Sequence, residues 1–190
     1  MDTLEEPGLS RRTVVKAAAW SVPIMAVGSN APAMAMSPVL QFDGLACKWS
    51  GNSCQNYPKS YLFGFKASSL GLGQVCISIT SVKMSTDPAG ANLVTPPNFT
   101  SFVNATGGVT INGCNCQLPG AIATILVDGE GTFDIVGGEF GDSNNSRIVV
   151  EYTALRYNNG SCGLPAGQGP ADSGVRSTPP CSQIPIPCPT

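Results

Sequence analysis

Eight cysteines and no histidine do most to limit what this chain can become. The cysteines are Cys47, Cys54, Cys76, Cys114, Cys116, Cys162, Cys181 and Cys188, in a chain of 190 residues. Structural zinc sites use closely spaced thiolate pairs, often completed by histidine. Here Cys114-Asn115-Cys116 is C-x-C, and nothing completes a set, so no metal centre is expected. An even count reads instead as four disulfides. Connectivity stays open. Cys47–Cys54 would close a short loop around Trp49, and Cys181–Cys188 would staple the C-terminal end. In an extended segment Cys114 and Cys116 point to one face, near the upper limit for bridging each other, so they are expected to reach different partners. The three cysteines from Cys162 onward are an odd number, so at least one must bridge to a cysteine earlier in the chain. Without histidine there is no Ser-His-Asp or Cys-His centre and no imidazole switch.

Between the cysteines the chain alternates with period two, the signature of half-buried strands. Tyr61, Phe63, Phe65 and Ala67 share one face, with Gly64 and Lys66 opposite. Val75, Ile77 and Ile79 share a face, with Cys76, Ser78 and Thr80 on the other. That places Cys76 outside, tying a loop over the sheet. Ile148, Val150, Tyr152 and Ala154 point in, and Arg147, Glu151 and Thr153 point out. Residues 121–127 are apolar on both faces, as a central strand would be. Asp128-Gly129-Glu130-Gly131 then reads as a hairpin turn before a strand over 132–136. Weaker strands are expected over 40–42, 91–94, 98–103 and 109–112. No helical stripe runs for three turns. These features predict an all-β, disulfide-rich β-sandwich, immunoglobulin-like in general shape.

Residues 162–190 differ in composition, with seven prolines and four glycines in 29 residues. Proline removes backbone donors and disfavours helix and central strand. Cys162, Cys181 and Cys188 lie within this Pro/Gly-rich extension, so it reads as a segment pinned against the domain by disulfides. The expected organisation is a leader over 1–35, a β-sandwich over 36–161 and the pinned tail over 162–190.

The leader carries the one resemblance in the chain. Ser10-Arg11-Arg12-Thr13-Val14-Val15-Lys16 resembles the bacterial twin-arginine motif, with valines where phenylalanine and leucine are usual. A weakly apolar stretch over 17–28 follows, too short to span a bilayer of about 20 helical residues. Ala31-Pro32-Ala33 and Ala33-Met34-Ala35 both fit the small-residue cleavage rule. The resemblance covers residues 1–35 alone and is similar to leaders of small secreted proteins of Gram-positive bacteria. It implies recognition of Arg11, Arg12 and Lys16 by the twin-arginine translocase, cleavage after Ala33 or Ala35, and a secreted or cell-wall-associated product. It implies nothing about the activity of the rest.

Several side-chain groups invite a chemical role. Asp128, Glu130, Asp134, Glu139 and Asp142 lie close in sequence. Paired carboxylates could serve glycoside hydrolysis or bind calcium; the plainer reading is ordinary acids at a solvated hairpin tip. Trp49, Tyr57 and Tyr61 could stack on sugar rings, or Trp49 could simply pack against a disulfide or the core. Lys59-Ser60 and Lys83 do not form the S-x-x-K pattern of a serine–lysine nucleophile. Leu164-Pro165-Ala166-Gly167 lacks the threonine and following apolar segment of a sortase signal. Gly44-Leu45-Ala46-Cys47 follows Asp43 rather than the apolar run of a lipobox, so no stable membrane anchor is expected.

Only 12% of residues are charged, the net charge is −2 and the pI is about 5.0, which argues against a nucleic-acid partner. The reading that follows is a secreted, non-catalytic cell-envelope, adhesive or ligand-binding domain without a cofactor. Its ligand would be a cell-wall or surface component. The alternatives are a carboxylate-dependent hydrolase acting on glycan and a protease-inhibitor-like disulfide module.

Overall fold

The alternating segments become strands in the computed structural model, which describes residues 39–49, 51, 54–138, 143–183 and 188. They are β1 (Leu40–Trp49), β2 (Ser60–Ser68), β3 (Gln74–Ser85), β4 (Phe99–Ile111), β5 (Ala123–Gly138), β6 (Asn145–Asn158), β7 (Ser161–Asp172) and β8 (Arg176–Ser177). The only helical element among the described residues is a 3-10 turn, Cys181–Gln183. All pairings between strands are antiparallel. Arg11, Arg12, Lys16, Ala33 and Ala35 of the leader lie outside the described residues, as do Glu139 and Asp142.

β5 organises the sheet. Its residues 130–137 pair with β2 and its residues 123–128 pair with β3. β4 runs along its other edge, from Phe99 opposite Gly138 to Ile111 opposite Ile125. β2 and β3 therefore lie end to end on one side of β5, and the sheet folds over between them. One layer is β1, β2, the second half of β5 and the first half of β4. The other is β7, β6, β3, the first half of β5 and the end of β4. Phe63, Phe65, Phe133 and Ile135 from the first layer meet Ile77, Ile79, Ile125, Ile148 and Val150 from the second in one core, all fully buried. Each such side chain contributes about 1.5–3 kcal/mol on burial. The inward faces are those the alternation predicts, and the fold is the expected disulfide-rich β-sandwich, made from one curled sheet.

Residues 128–131 are not a hairpin turn. β5 passes through them unbroken, and the reason lies on the neighbouring strand. A Cβ on Gly131 would run into the Thr106 carbonyl, and one on Gly108 into the Asp128 carbonyl. Glycines on both strands let the two backbones approach closely while both bend, so the glycines mark a corner. The weak strands over 98–103 and 109–112 accordingly merge into β4, with register shifts between Val103 and Thr106 and between Gly107 and Val109. Residues 91–94 supply only an isolated bridge, Met84 to Val94. Residues 161–172, proline-bearing as they are, form β7 along β6.

The disulfides are Cys47–Cys181, Cys54–Cys188, Cys76–Cys114 and Cys116–Cys162. Cys114 and Cys116 do reach different partners, and Cys76 does sit on the outer face. The two short closures, Cys47–Cys54 and Cys181–Cys188, do not form. Pro179 instead accepts a hydrogen bond from the Lys48 backbone N–H (3.0 Å). The C-terminal segment thus runs beside β1, and both its cysteines find partners across the chain.

Candidate functional site: a carboxylate pair on a bulged sheet face

In β1 the pairing jumps from Phe42 opposite Phe65 to Ala46 opposite Phe63, so Asp43, Gly44 and Leu45 bulge out against the single residue Gly64. Gly44 takes φ +102°, a conformation that favours glycine. The bulge is fixed by the Leu45 N–H, which donates to Asp43 Oδ1 (2.7 Å). It lays the Asp43 carboxylate over Gly64, where a Cβ would lie 2.5–2.8 Å from the carboxylate atoms. Any larger residue at 64 would expel it.

Gly64 is opposite Asp134 in β5. Asp134 is only 8% exposed, and Asn104 Nδ2 from β4 donates to its Oδ2 (2.7 Å). Asn104 sits where β4 changes register and takes φ +53°, so the bulge in β4 supplies this partner as the bulge in β1 supplies Asp43. Bulges of this kind re-aim side chains. Burial pushes the Asp134 carboxyl up to about 6; the Asn104 bond opposes the rise and the negative charge of Asp43 adds to it. The result is a carboxyl that is neutral in mildly acidic water, beside a carboxylate that is exposed. Such a pair can hold and release a proton near pH 6 or offer oxygens to a polar ligand.

The other acids of the sequence cluster go elsewhere. Asp128 accepts from Gln74 Nε2 (3.1 Å), and Glu130 pairs with Lys66 (2.8 Å). No group of three or more potential metal-ligating side chains occurs among the described residues. Asp43, which joins Asp134, stood outside that cluster. Its signal was Gly44 within an apolar alternating stretch, the mark of a bulge.

The aromatics pack. Trp49 is buried and stacks on Tyr57 (6.3 Å), which leans on Phe99 (5.5 Å), beneath the bridges of Cys47 and Cys54. Tyr61 is buried, and its hydroxyl donates to the Ser143 carbonyl (2.9 Å). Ser60 is buried and donates to the Tyr57 carbonyl (2.6 Å), Lys83 is exposed on β3, and Cys47 is held in its disulfide. No protein-family model, curated protein or solved structure matches the chain.

Proposed function

We propose that this chain is an exported, non-catalytic binding domain of a bacterial cell envelope, carried out by the twin-arginine translocase and acting on a cell-wall or surface ligand. The observation that supports it best is the placement of the disulfides. They tie residues 114, 116, 181 and 188 onto both outer faces of the sandwich, which fixes surface segments that would otherwise lose entropy on binding. No helix among the described residues is long and apolar enough to cross a membrane, in keeping with a chain that acts outside one. Export is tested by Arg11→Lys with Arg12→Lys, which keeps charge and removes the guanidinium forks. Secretion should be lost, and unchanged secretion overturns the twin-arginine route. Binding is tested by retention of the purified protein on cell-wall fractions against a denatured control.

The pair Asp43 and Asp134 favours a second reading, a hydrolase that cleaves glycan with two carboxyl groups. Release of reducing ends from cell-wall glycan, abolished by Asp43→Asn or Asp134→Asn, would establish that reading in place of the first.

A further inference from the structure

The sandwich leaves one long side open between the edges of β1 and β7. Near residue 39 the gap is shut: Val39 lies so close to Gly167 that a Cβ there would come within 2.9 Å of it. Further along, the gap widens into a crevice of about 300 Å³ lined by Leu40, Phe42, Pro170, Asp172 and Arg176. That is at the small end of ligand pockets and holds two or three residues of a peptide at most.

Part of the backbone at this crevice is unspent. The Ser68 N–H donates to the Val39 carbonyl, which fixes the alternation of the β1–β2 ladder. Leu40 and Phe42 then point their N–H and C=O groups away from β2. The Leu40 N–H donates to the Tyr152 hydroxyl oxygen. Phe42 offers its pair to the crevice. Across the gap, the Ser173 N–H donates to the Ile148 carbonyl, so Pro170 and Asp172 also face outward. Pro170 has no N–H to offer, which blocks extended pairing with β7 and leaves β1 as the side that can receive a strand.

The charges divide in the same way. Asp172 is consumed: its carboxylate takes Arg147 Nε (3.0 Å) and Nη2 (2.5 Å) and the Gly174 N–H (2.8 Å). Arg176 is held but not consumed. Its guanidinium stacks on the Phe42 ring (5.2 Å), its Nε donates to the Ser173 carbonyl, and the ion pairs found among the described residues are Lys66–Glu130 and Arg147–Asp172. Phe42 is itself fixed edge-on against Phe63 and Phe65 (6.2 Å each). A planar cation seated on an aromatic ring beside a free backbone pair matches a carboxylate at the end of an extended chain.

We propose that this crevice binds the free C-terminal carboxylate of a short peptide, with the carboxylate on Arg176 and the preceding residue paired to Phe42 along the edge of β1. The proposal names the ligand class of the binding domain argued above and rests on that reading. The full chain is titrated with an N-acetylated alanine tripeptide bearing a free C-terminus, the same tripeptide amidated, and sodium acetate, following backbone amide shifts. The free acid should bind with a Kd of about 1 mM, shifting Phe42, Ala171 and Arg176. Amidation or Arg176→Gln should weaken it at least about tenfold, while Arg156→Gln, an exposed arginine elsewhere on β6, should not. Arg176→Lys should recover only part of the loss. No shift at these residues with about 10 mM free acid, equal binding of the amide, or competition by acetate as strong as by peptide would each overturn the proposal. Cell-wall retention unaffected by Arg176→Gln would keep the binding domain and remove this site. Tripeptide binding that depends on Arg176 without cell-wall retention would do the reverse.

Discussion

On the outer face of the first layer, Cys47–Cys181 and Cys54–Cys188 each close 134 residues of chain; on the outer face of the second, Cys76–Cys114 and Cys116–Cys162 close 38 and 46. What lies under them differs too. The first pair covers a satellite core of Trp49, Leu62 and Val136, with Tyr57 and Phe99 packed against it. The second holds a loop by hydrogen bonds: Ser78 Oγ donates to the Cys116 carbonyl (2.6 Å) and Thr124 Oγ1 to the Cys114 carbonyl (2.8 Å). One face is closed by long-range topology and apolar burial. The other is closed locally, with hydroxyls satisfying the carbonyls a buried loop would otherwise orphan. Each face keeps one bridge buried at both ends or nearly so, and one with an exposed cysteine, Cys188 or Cys162.

The largest expected effect tests the topological half of this contrast. In the chain-entropy model the bridge closing 38 residues contributes about 4 kcal/mol, whereas Cys47–Cys181 contributes about 3 kcal/mol while Cys54–Cys188 stands, because it then closes only the roughly 14 residues of 47–54 and 181–188. Replacing Cys47 and Cys181 by alanine also loosens the cover over Trp49 and Leu62. That variant should lose at least as much stability in urea as the Cys76→Ala, Cys114→Ala variant, the exposed apolar cover making up for the shorter closure. A loss about 1 kcal/mol smaller would mean that the satellite core holds the tail in place without its bridge.

An intermediate effect distinguishes the faces by pH. The polar half of the first face carries Asp134, whose carboxyl is raised to about 6 chiefly by burial; the second carries Ser78 and Thr124, which do not titrate. For a carboxyl raised above its unfolded value, the native state holds the proton more tightly. The stability it contributes is complete below about pH 4 and is lost as pH rises through about 6. The penalty at neutral pH is on the order of 2 kcal/mol, discounted because water reaches the exposed Asp43 side of the pair. Asp134→Asn keeps an acceptor for Asn104 and removes the charge, so it should stabilise the protein at pH 7–8 and change little at pH 4. Ser78→Ala should cost about 1–3 kcal/mol at every pH, because the Cys116 carbonyl is left unpaired. Urea midpoints from pH 4 to 8 separate the two. A midpoint difference between Asp134→Asn and the parent that stays constant from pH 4 to 8 would show that the bulge does not keep water from the carboxyl.

How much of this was legible depends on the range of the interaction. The inward faces of β2, β3 and β6 could be read because alternation is local and a hydrophobic residue in each pair of positions settles the side. The split of Cys114 and Cys116 was legible for the same reason. Residues 128–131 were read as a turn because the neighbours of Gly131 on β4, Thr106 and Gly108, are more than twenty residues away in sequence, and only that approach turns a turn signal into a corner. The pairings of Cys47 with Cys181 and Cys54 with Cys188 depend on β7 and β8 returning the chain to β1, which no local pattern carries. The candidate carboxylates fell between these cases. Asp134 was visible as one of a run of acids, whereas Asp43 reaches it across Gly64 only because β1 bulges.

The smallest expected effect lies at the corner between the faces, where Glu130 pairs with Lys66. Its carboxyl is held below the ordinary range, first by the hydrogen bond from Lys66 and then by that cation's charge. The sign is therefore opposite to that of Asp134: any stability from Glu130 is present at neutral pH and lost as pH falls through its lowered pKa. Both side chains are more than half exposed or close to it, at 61% and 50%, so water and salt screen the pair. Glu130→Gln should leave the urea midpoint unresolved from that of the parent at about 0.15 M salt, with a slight deficit emerging only at low ionic strength and only near neutral pH. The corner is set by glycines whose backbones approach Thr106 and Asp128, and that geometry has no use for a carboxylate at 130. A deficit as large as the Asp134→Asn gain, persisting at high salt, would mean that the ion pair holds the bend and that the two faces are joined by charge instead of by backbone packing.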